Sequence, residues 1–438
     1  MATAHREGFL AALDQAGSGA IAVLPTGKER VRSRDTHYRF RPDSDFWYLT
    51  AFPEPDAVAV LIPGRKEGPF ILFVRPRDPE MEIWHGKRFG VEGAQEVFGA
   101  DEAYPIGELD RRLPSLLKGA KQMYYRTGEN ADFDRKLLSW LSETHLKTRD
   151  GITGPGVVRR PGELLHEMRL VKSEDEIGFL RRAADITSQA HQAAMKALGP
   201  GTAEYEIEAL VDGTFRRLGG WGPGYPSIVA GGSNACILHY TENMEVVSEG
   251  DLLLLDAGCE INGYTADVTR TFPSTGKFSE VQRVLYEVVL NAQLRGIEMV
   301  SPGNTFYSIH EETTATLVQG MIDAGLLDGD LQENLESEAY RRYFMHKTSH
   351  WLGIDVHDVG SYFQGSGEGG DPVSRPLEPG MVLTVEPGIY VSPEDEKAPE
   401  RFRGLGIRIE DDVLVTAEGH DVLTGSIPKT VDDVEAAC

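Results

Sequence analysis

Asp251-Leu-Leu-Leu-Leu-Asp-Ala-Gly-Cys-Glu-Ile-Asn-Gly-Tyr-Thr-Ala-Asp-Val-Thr-Arg-Thr-Phe272 reads as two strands joined by a tight turn. Asn262-Gly263 is a pair that a two-residue type I′ hairpin prefers, because both turn positions need positive φ. With that turn, Ile261 faces Tyr264 and Gly258 faces Asp267. Asp256 stands two residues from Gly258 and so shares a face with Asp267. The two aspartates become diagonal neighbours, about 7–8 Å apart at the backbone. Asp256 ends a run of four leucines, where a buried carboxylate is costly unless it is paired or binds a cation. Two aspartates at a turn also have an ordinary reading, as solvated turn residues, and the hairpin alone leaves both open.

Working outward, Met381-Val-Leu-Thr-Val-Glu-Pro-Gly388 repeats the pattern of an apolar strand that runs into a carboxylate, Glu386. Arg403-Gly-Leu-Gly-Ile-Arg-Ile-Glu-Asp411 follows, and strand alternation puts Arg408 and Glu410 on one face with Ile407 and Ile409 on the other. Taken singly, Glu386 also reads as a cap, and Arg408 with Glu410 as an exposed charged face. Met345-His-Lys-Thr-Ser-His-Trp-Leu-Gly-Ile-Asp-Val-His-Asp358 holds three of the twelve histidines. The His346/His350 spacing would suit two ligands on one helix, but His-Glu-x-x-His is absent and Ser-His-Trp-Leu-Gly is not strongly helical. Together these segments supply four carboxylates and one imidazole, a hard donor set that suits a pair of Mn, Co, Fe or Zn ions and not copper or an iron–sulfur cluster. Four carboxylates against two divalent ions approach neutrality, and two metals can share a bridging water and lower its pKa.

The whole chain fits a soluble protein. Its 438 residues suggest two or three domains, and the 40% of hydrophobic residues can fill their cores. The formal net charge of −25 argues against general nucleic-acid binding. An acidic surface accounts for most of that charge, and metal-bound carboxylates for part. Three cysteines without a Cys-x-x-Cys spacing argue against a disulfide framework or a structural zinc site; Cys236 and Cys259, in apolar stretches, read as buried thiols. No run approaches the roughly 18 apolar residues of a membrane span, so the expectation is a cytoplasmic protein without a membrane partner.

Short apolar strands at 20–24, 57–62 and 70–74, with a helical pattern at 132–144, give residues 1–172 the look of an α/β domain. The Gly-, Pro- and Arg-rich stretch 151–163 reads as a connection. Ser173 with Glu176 forms a capping box that opens a second domain, 173–438. There, helices are expected at 173–197, 203–218, 279–300, 304–325 and 332–342, and strands at 226–230, 251–259, 264–272, 381–386 and 405–410. Residues 362–375 read as a flexible loop.

These motifs resemble the metallopeptidases of the pita-bread fold, specifically the aminopeptidase P (Xaa-Pro aminopeptidase) family. Residues 256–272, 349–360, 384–390 and 406–411 match its metal-site segments, and Ile237-Leu-His-Tyr-Thr-Glu-Asn243 matches the segment bearing a substrate-contacting histidine. Asp43-Ser-Asp-Phe-Trp-Tyr-Leu-Thr50 and Glu82-Ile-Trp-His-Gly86 extend the resemblance into the first domain. The resemblance implies a fold of class α/β (α+β), with an N-terminal α/β domain and a C-terminal pita-bread domain of curved antiparallel sheet and flanking helices. It implies two divalent ions, Mn²⁺ first, with Co²⁺, Zn²⁺ or Fe²⁺ as alternatives. Asp256 would bind one ion, His350 and Glu386 the other, and Asp267 and Glu410 would bridge them. His239 and His357 would line the substrate pocket and stabilise the tetrahedral intermediate, with His346 and Tyr390 reaching the site. Glu386 would relay a proton and Arg408 would support its strand neighbour Glu410. Trp84 resembles a tryptophan that covers a neighbouring subunit's pocket, which implies a homo-oligomer, dimer or tetramer. The implied substrates are peptides with proline in the second position, cleaved by a metal-bridging hydroxide. Prolidase, acting on Xaa-Pro dipeptides, shares fold and metals. Methionine aminopeptidase usually lacks so large a first domain. Creatinase, and pita-bread modules that bind peptides without catalysis, lack the full ligand set.

Overall fold

The structure, a computed structural model, describes residues 1–146, 153–366 and 371–438. It divides into two units, Met1–Met168 and Arg169–Cys438. The N-terminal unit is built on a mixed six-stranded sheet in the order Glu102–Pro105, Phe70–Val74, Val58–Leu61, Ala20–Pro25, Gln122–Tyr124, Val157–Arg159. The middle three strands pair antiparallel; each outer strand runs parallel to its neighbour. Those middle strands are nearly continuous apolar runs because they are buried along their length. The helix Ala131–Leu146 lays Phe133, Leu137, Trp140 and Leu141 against Ile21, Val23, Val60 and Phe73. The stretch expected to be a plain connection instead contributes the edge strand Val157–Arg159, while residues 151 and 152 lie outside the described residues.

Among the described residues of the C-terminal unit every strand pair is antiparallel, and long helices flank the sheets, as the pita-bread reading implies. The helix Glu174–Ala197 opens on the expected capping box: the Ser173 amide and hydroxyl both donate to Glu176 Oε2, at 2.8 and 2.7 Å. The decisive hairpin keeps one register from end to end. Ile261 pairs with Tyr264, Glu260 with Thr265, the Ala257 amide reaches the Val268 carbonyl, and Asp256 pairs with Thr269. Asn262 (φ 52°) and Gly263 (φ 87°) make the turn. The leucine run is buried on both faces. Leu253 and Leu255 enter the main core with Phe272 and Ile407, and Leu254 packs with Ile228, Tyr240 and Tyr390.

Two further ribbons complete the frame. Val382–Val385 pairs with Asp411–Thr416, and Gly388–Tyr390 pairs with Gly406–Arg408. The Glu410 amide donates to the Thr269 carbonyl at 3.1 Å, which joins this ribbon to the hairpin.

Three further expectations change. The helix expected over 332–342 is broken into Leu331–Glu336 and a short 3₁₀ turn Ala339–Arg342, because Glu338 takes a left-handed conformation between them (φ 53°). The loop expected over 362–375 is in part ordered pairing, Phe363–Ser366 against Pro372–Ser374; residues 367–370 lie outside the described residues. Of the two cysteines read as buried, Cys259 is, whereas Cys236 is only half-buried, its thiol donating to the Val391 carbonyl.

Gly258 tests the hairpin. A Cβ there would stand 1.7 Å from the Ala266 carbonyl oxygen across the pair. Because both partners are backbone, the strands must separate. Gly258→Ala is expected to lower unfolding stability by about 3 kcal/mol or more in a denaturant titration; an unchanged midpoint would refute the packed register.

Candidate metal centre

The two ribbons and the hairpin bring their acidic ends to one cavity of about 720 Å³. Asp256, Asp267, His350, Glu386, Arg408 and Glu410 all line it, as do His239, His346 and His357. Ligand atoms of Asp267, His350 and Glu410 lie within 4.8 Å of one another. His350 Nε2 is 3.2 Å from Asp267 Oδ2 and 3.6 Å from Glu386 Oε1. Asp256 sits beside this group and is held by protein donors: Arg408 Nη2 at 2.6 Å on one oxygen and Tyr225 Oη at 2.7 Å on the other. Each of those oxygens keeps a further lone pair.

The backbone explains the convergence. Period-two alternation aims Asp267, Thr269 and Thr271 one way, with Arg270 the other. Thr269 Oγ1 donates to Glu410 Oε2 at 2.7 Å and accepts from Arg408 Nε at 3.0 Å. His350 is not on a helix. Its strand-like segment meets Val382–Val385, with the His350 amide on Thr384 Oγ1 and the Thr384 amide on the His350 carbonyl. The Glu386 amide reaches the Thr348 carbonyl at 2.7 Å. Tyr390 lies behind the cavity wall, its hydroxyl bonded to Arg408 Nη1 and His346 Nε2, and burial pushes its pKa up to about 12. Trp84 does not line this cavity; it is 79% exposed on the helix Pro79–His85 of the N-terminal unit.

The electrostatics single out a place for cations. Burial, joined by Asp267, Glu386 and Asp256, raises the Glu410 carboxyl well above its ordinary value. Burial also pushes Glu386 up to about 8, against the pull of His350, and raises Asp256 against the pull of Arg408. Burial lowers His346 to about 4 and keeps His357 below its usual value, so both rings are neutral at physiological pH. Asp411, next to Glu410 on the opposite face, makes the contrast. It is fully buried too, yet Arg270 and Lys429 both contact it at 2.7 Å, and they outweigh burial to hold its pKa low. The residues at the cavity floor lack such partners in number, and a hard oxygen-rich set with one imidazole fits divalent ions.

Sequence reasoning missed Tyr225 and Thr269. Thr269 carried a signal, since alternation from Asp267 puts it on the same face. Tyr225, between Gly224 and Pro226 in an irregular segment, carried none.

Two family models match the chain: metallopeptidase family M24 over residues 178–417, and the aminopeptidase P N-terminal domain over residues 3–125. The Xaa-Pro aminopeptidase of Escherichia coli strain K12 is 43% identical over 427 residues, covering 97% of this chain and 95% of that one. The structure of Pseudomonas aeruginosa aminopeptidase PepP superposes with a TM-score of 0.96 at 46% identity, covering 100% of this chain and 97% of that one. A zinc-substituted E. coli aminopeptidase P in complex with product gives 0.94 at 42% identity, with 100% and 98% coverage.

The raised groups have a measurable consequence. Glu386, raised from 4.5 to about 8, and His350, raised from 6.5 to about 9 by Asp267 and Glu386 despite burial, bind protons more tightly in the folded than in the unfolded metal-free chain. Their contribution is complete below the ordinary values and is lost as pH rises through the folded ones. The melting temperature of metal-free protein is therefore expected to fall between about pH 4.5 and pH 9, and divalent metal to reverse that fall while releasing protons. A flat profile without proton release in calorimetry would contradict this electrostatic picture.

Proposed function

This chain belongs to metallopeptidase family M24 and carries the aminopeptidase P N-terminal domain, and from that premise we propose that it is a dinuclear-metal exopeptidase hydrolysing the N-terminal Xaa-Pro bond of peptides. The observation that carries this reading is the meeting of Asp267, His350 and Glu410 within ligand distance, with Glu386 and Asp256 beside them in one cavity.

In this reading Asp256 would hold one ion, His350 and Glu386 would hold the other, and Asp267 and Glu410 would be shared between them. Two divalent ions, when bound, supply Lewis acidity and a nucleophile at neutral pH. The chain's own residues do the rest. Arg408 fixes Asp256 directly and Glu410 through Thr269. His239 and His357 line the same cavity, and in this reading they would donate to the developing oxyanion. Glu386 relays a proton to the leaving proline nitrogen. That nitrogen has no hydrogen in the peptide bond, so selection rests on shape, and Ile228, Leu238, Val356 and Tyr362 give the cavity an apolar wall for the pyrrolidine ring. Trp84, exposed on the N-terminal unit, is assigned to the pocket of a neighbouring copy in a homo-oligomer. Manganese is the first ion to test and the cytoplasm the setting; among the described residues no helix is long and apolar enough to cross a membrane.

The test is a peptide panel assayed after chelation and readdition of Mn²⁺, Co²⁺, Zn²⁺ or Fe²⁺ singly. Xaa-Pro-Yaa tripeptides are expected to be cleaved in preference to Xaa-Pro dipeptides, and Asp256→Ala or Glu410→Ala to lose metal together with at least about 10³-fold in kcat/KM. Full activity in a metal-free variant would sink the mechanism, and a preference for dipeptides would make the protein a prolidase.

A further inference from the structure

We propose that Asp358, clamped between Arg169 and Lys172, is a positioning residue for His350, acting through the Trp351 carbonyl that both residues share. The inference rests on the reading of His350 as a metal ligand.

The Trp351 carbonyl oxygen receives two hydrogen bonds, one from His350 Nδ1 at 2.9 Å and one from the Asp358 amide at 2.9 Å. A carbonyl can only accept, so Nδ1 carries a proton, and when the ring is neutral, as a metal ligand must be, the lone pair is on Nε2. Nε2 is the atom that faces Asp267 and Glu386. The direction of the Trp351 carbonyl therefore decides both the tautomer and the aim of the imidazole. The backbone on one side of that carbonyl is fixed by neighbours: the amide of its own peptide, that of Leu352, donates to the Val382 carbonyl at 3.0 Å, and the Trp351 amide in the preceding peptide donates to Tyr362 Oη at 3.1 Å. The other side depends on Asp358.

Asp358 is placed by charge. Its Oδ1 accepts from Arg169 Nη2 at 2.5 Å and its Oδ2 from Lys172 Nζ at 3.1 Å, with all three side chains at most 2% exposed. A buried ionic group of this kind is a weak source of net stability but a strong constraint on geometry. The loop is shaped for it. A Cβ at Gly353 would stand 2.1 Å from Asp358 Oδ2, so only glycine lets the carboxylate reach its two cations. The loop also carries His357, whose ring lies edge-on to that of His350 with centroids 4.3 Å apart. One clamp thus sets the aim of a metal ligand and the place of the histidine beside it.

The experiment follows Zn²⁺ transfer from the loaded protein to a chelating dye, for wild type and for Asp358→Asn, which keeps the shape and removes the charge. The expected result is two zinc ions in wild type, with one released about 10–100-fold more readily in Asp358→Asn. The accompanying fall in kcat/KM should shrink as free zinc is raised. A purely structural role would lower the melting temperature and leave zinc affinity untouched; that outcome overturns the proposal. Failure of wild type to bind zinc, or any of the four candidate metals, would instead overturn the metal-centre reading. Where Asp358→Asn does not fold, Lys172→Met and Lys172→Arg decide in the same assay. Loss of zinc affinity in Lys172→Met with recovery in Lys172→Arg supports the clamp, and equal affinity in both overturns it.

Discussion

Charge compensation is the constraint on which the catalytic unit turns. Asp256, Asp267, Glu386 and Glu410 share the lining of one cavity, three of them more than nine-tenths buried. Carboxylates this close in a poorly solvated place either take up protons or require cations. Arg408 satisfies Asp256 and reaches Glu410 only through Thr269, so the deficit is concentrated around Asp267, Glu386 and Glu410. Asp411 shows that the fold can neutralise a buried carboxylate when it has no other use for it: Arg270, Lys429, Gln293 and Thr424 all converge on that side chain. Glu410, just before the strand Asp411–Thr416, and Asp411, its first residue, thus meet opposite electrostatic fates because their side chains point to opposite sides.

That difference explains what the sequence made legible. Local periodicity was enough for the hairpin: Asn262-Gly263 fixes the turn, the turn fixes the register, and the register puts Asp256 and Asp267 on one face. It was also enough for Arg408 and Glu410, and for the capping box at Ser173. It could not join His350 or Glu386 to the aspartates, because that contact is made by pairing Trp351 with Leu383 and Asp411 with Val385, between segments far apart in the chain. Periodicity speaks within a strand and is silent about which strand lies next to it. The resemblance to the aminopeptidase P family supplied that missing step.

The misreadings have the same origin. Val157–Arg159 is a three-residue edge strand among glycines and prolines, too short to show any alternation, and only its neighbour Gln122–Tyr124 gives it order. The expected helix over 332–342 has apolar residues at acceptable spacing, yet Glu338 adopts positive φ, which its residue type does not announce. Tyr225 reaches Asp256 from an irregular segment in which no period exists to read.

The distribution of charge sharpens the reading of composition. The N-terminal unit carries 24 lysines and arginines against 25 aspartates and glutamates, a formal −1, while the C-terminal unit carries 20 against 44, a formal −24. The four carboxylates assigned to metal are a small share of those 44, so two bound ions offset little of the total and most of the excess is a property of the unit as a whole. Such a field favours cations over anions throughout its neighbourhood. On the proposed reading two cations must enter this cavity: the divalent ions that complete it, and the ammonium terminus of the peptide that defines an aminopeptidase substrate. The N-terminal unit, nearly neutral, adds almost nothing to the net charge, and the acidity of the chain belongs to the unit that holds the proposed site.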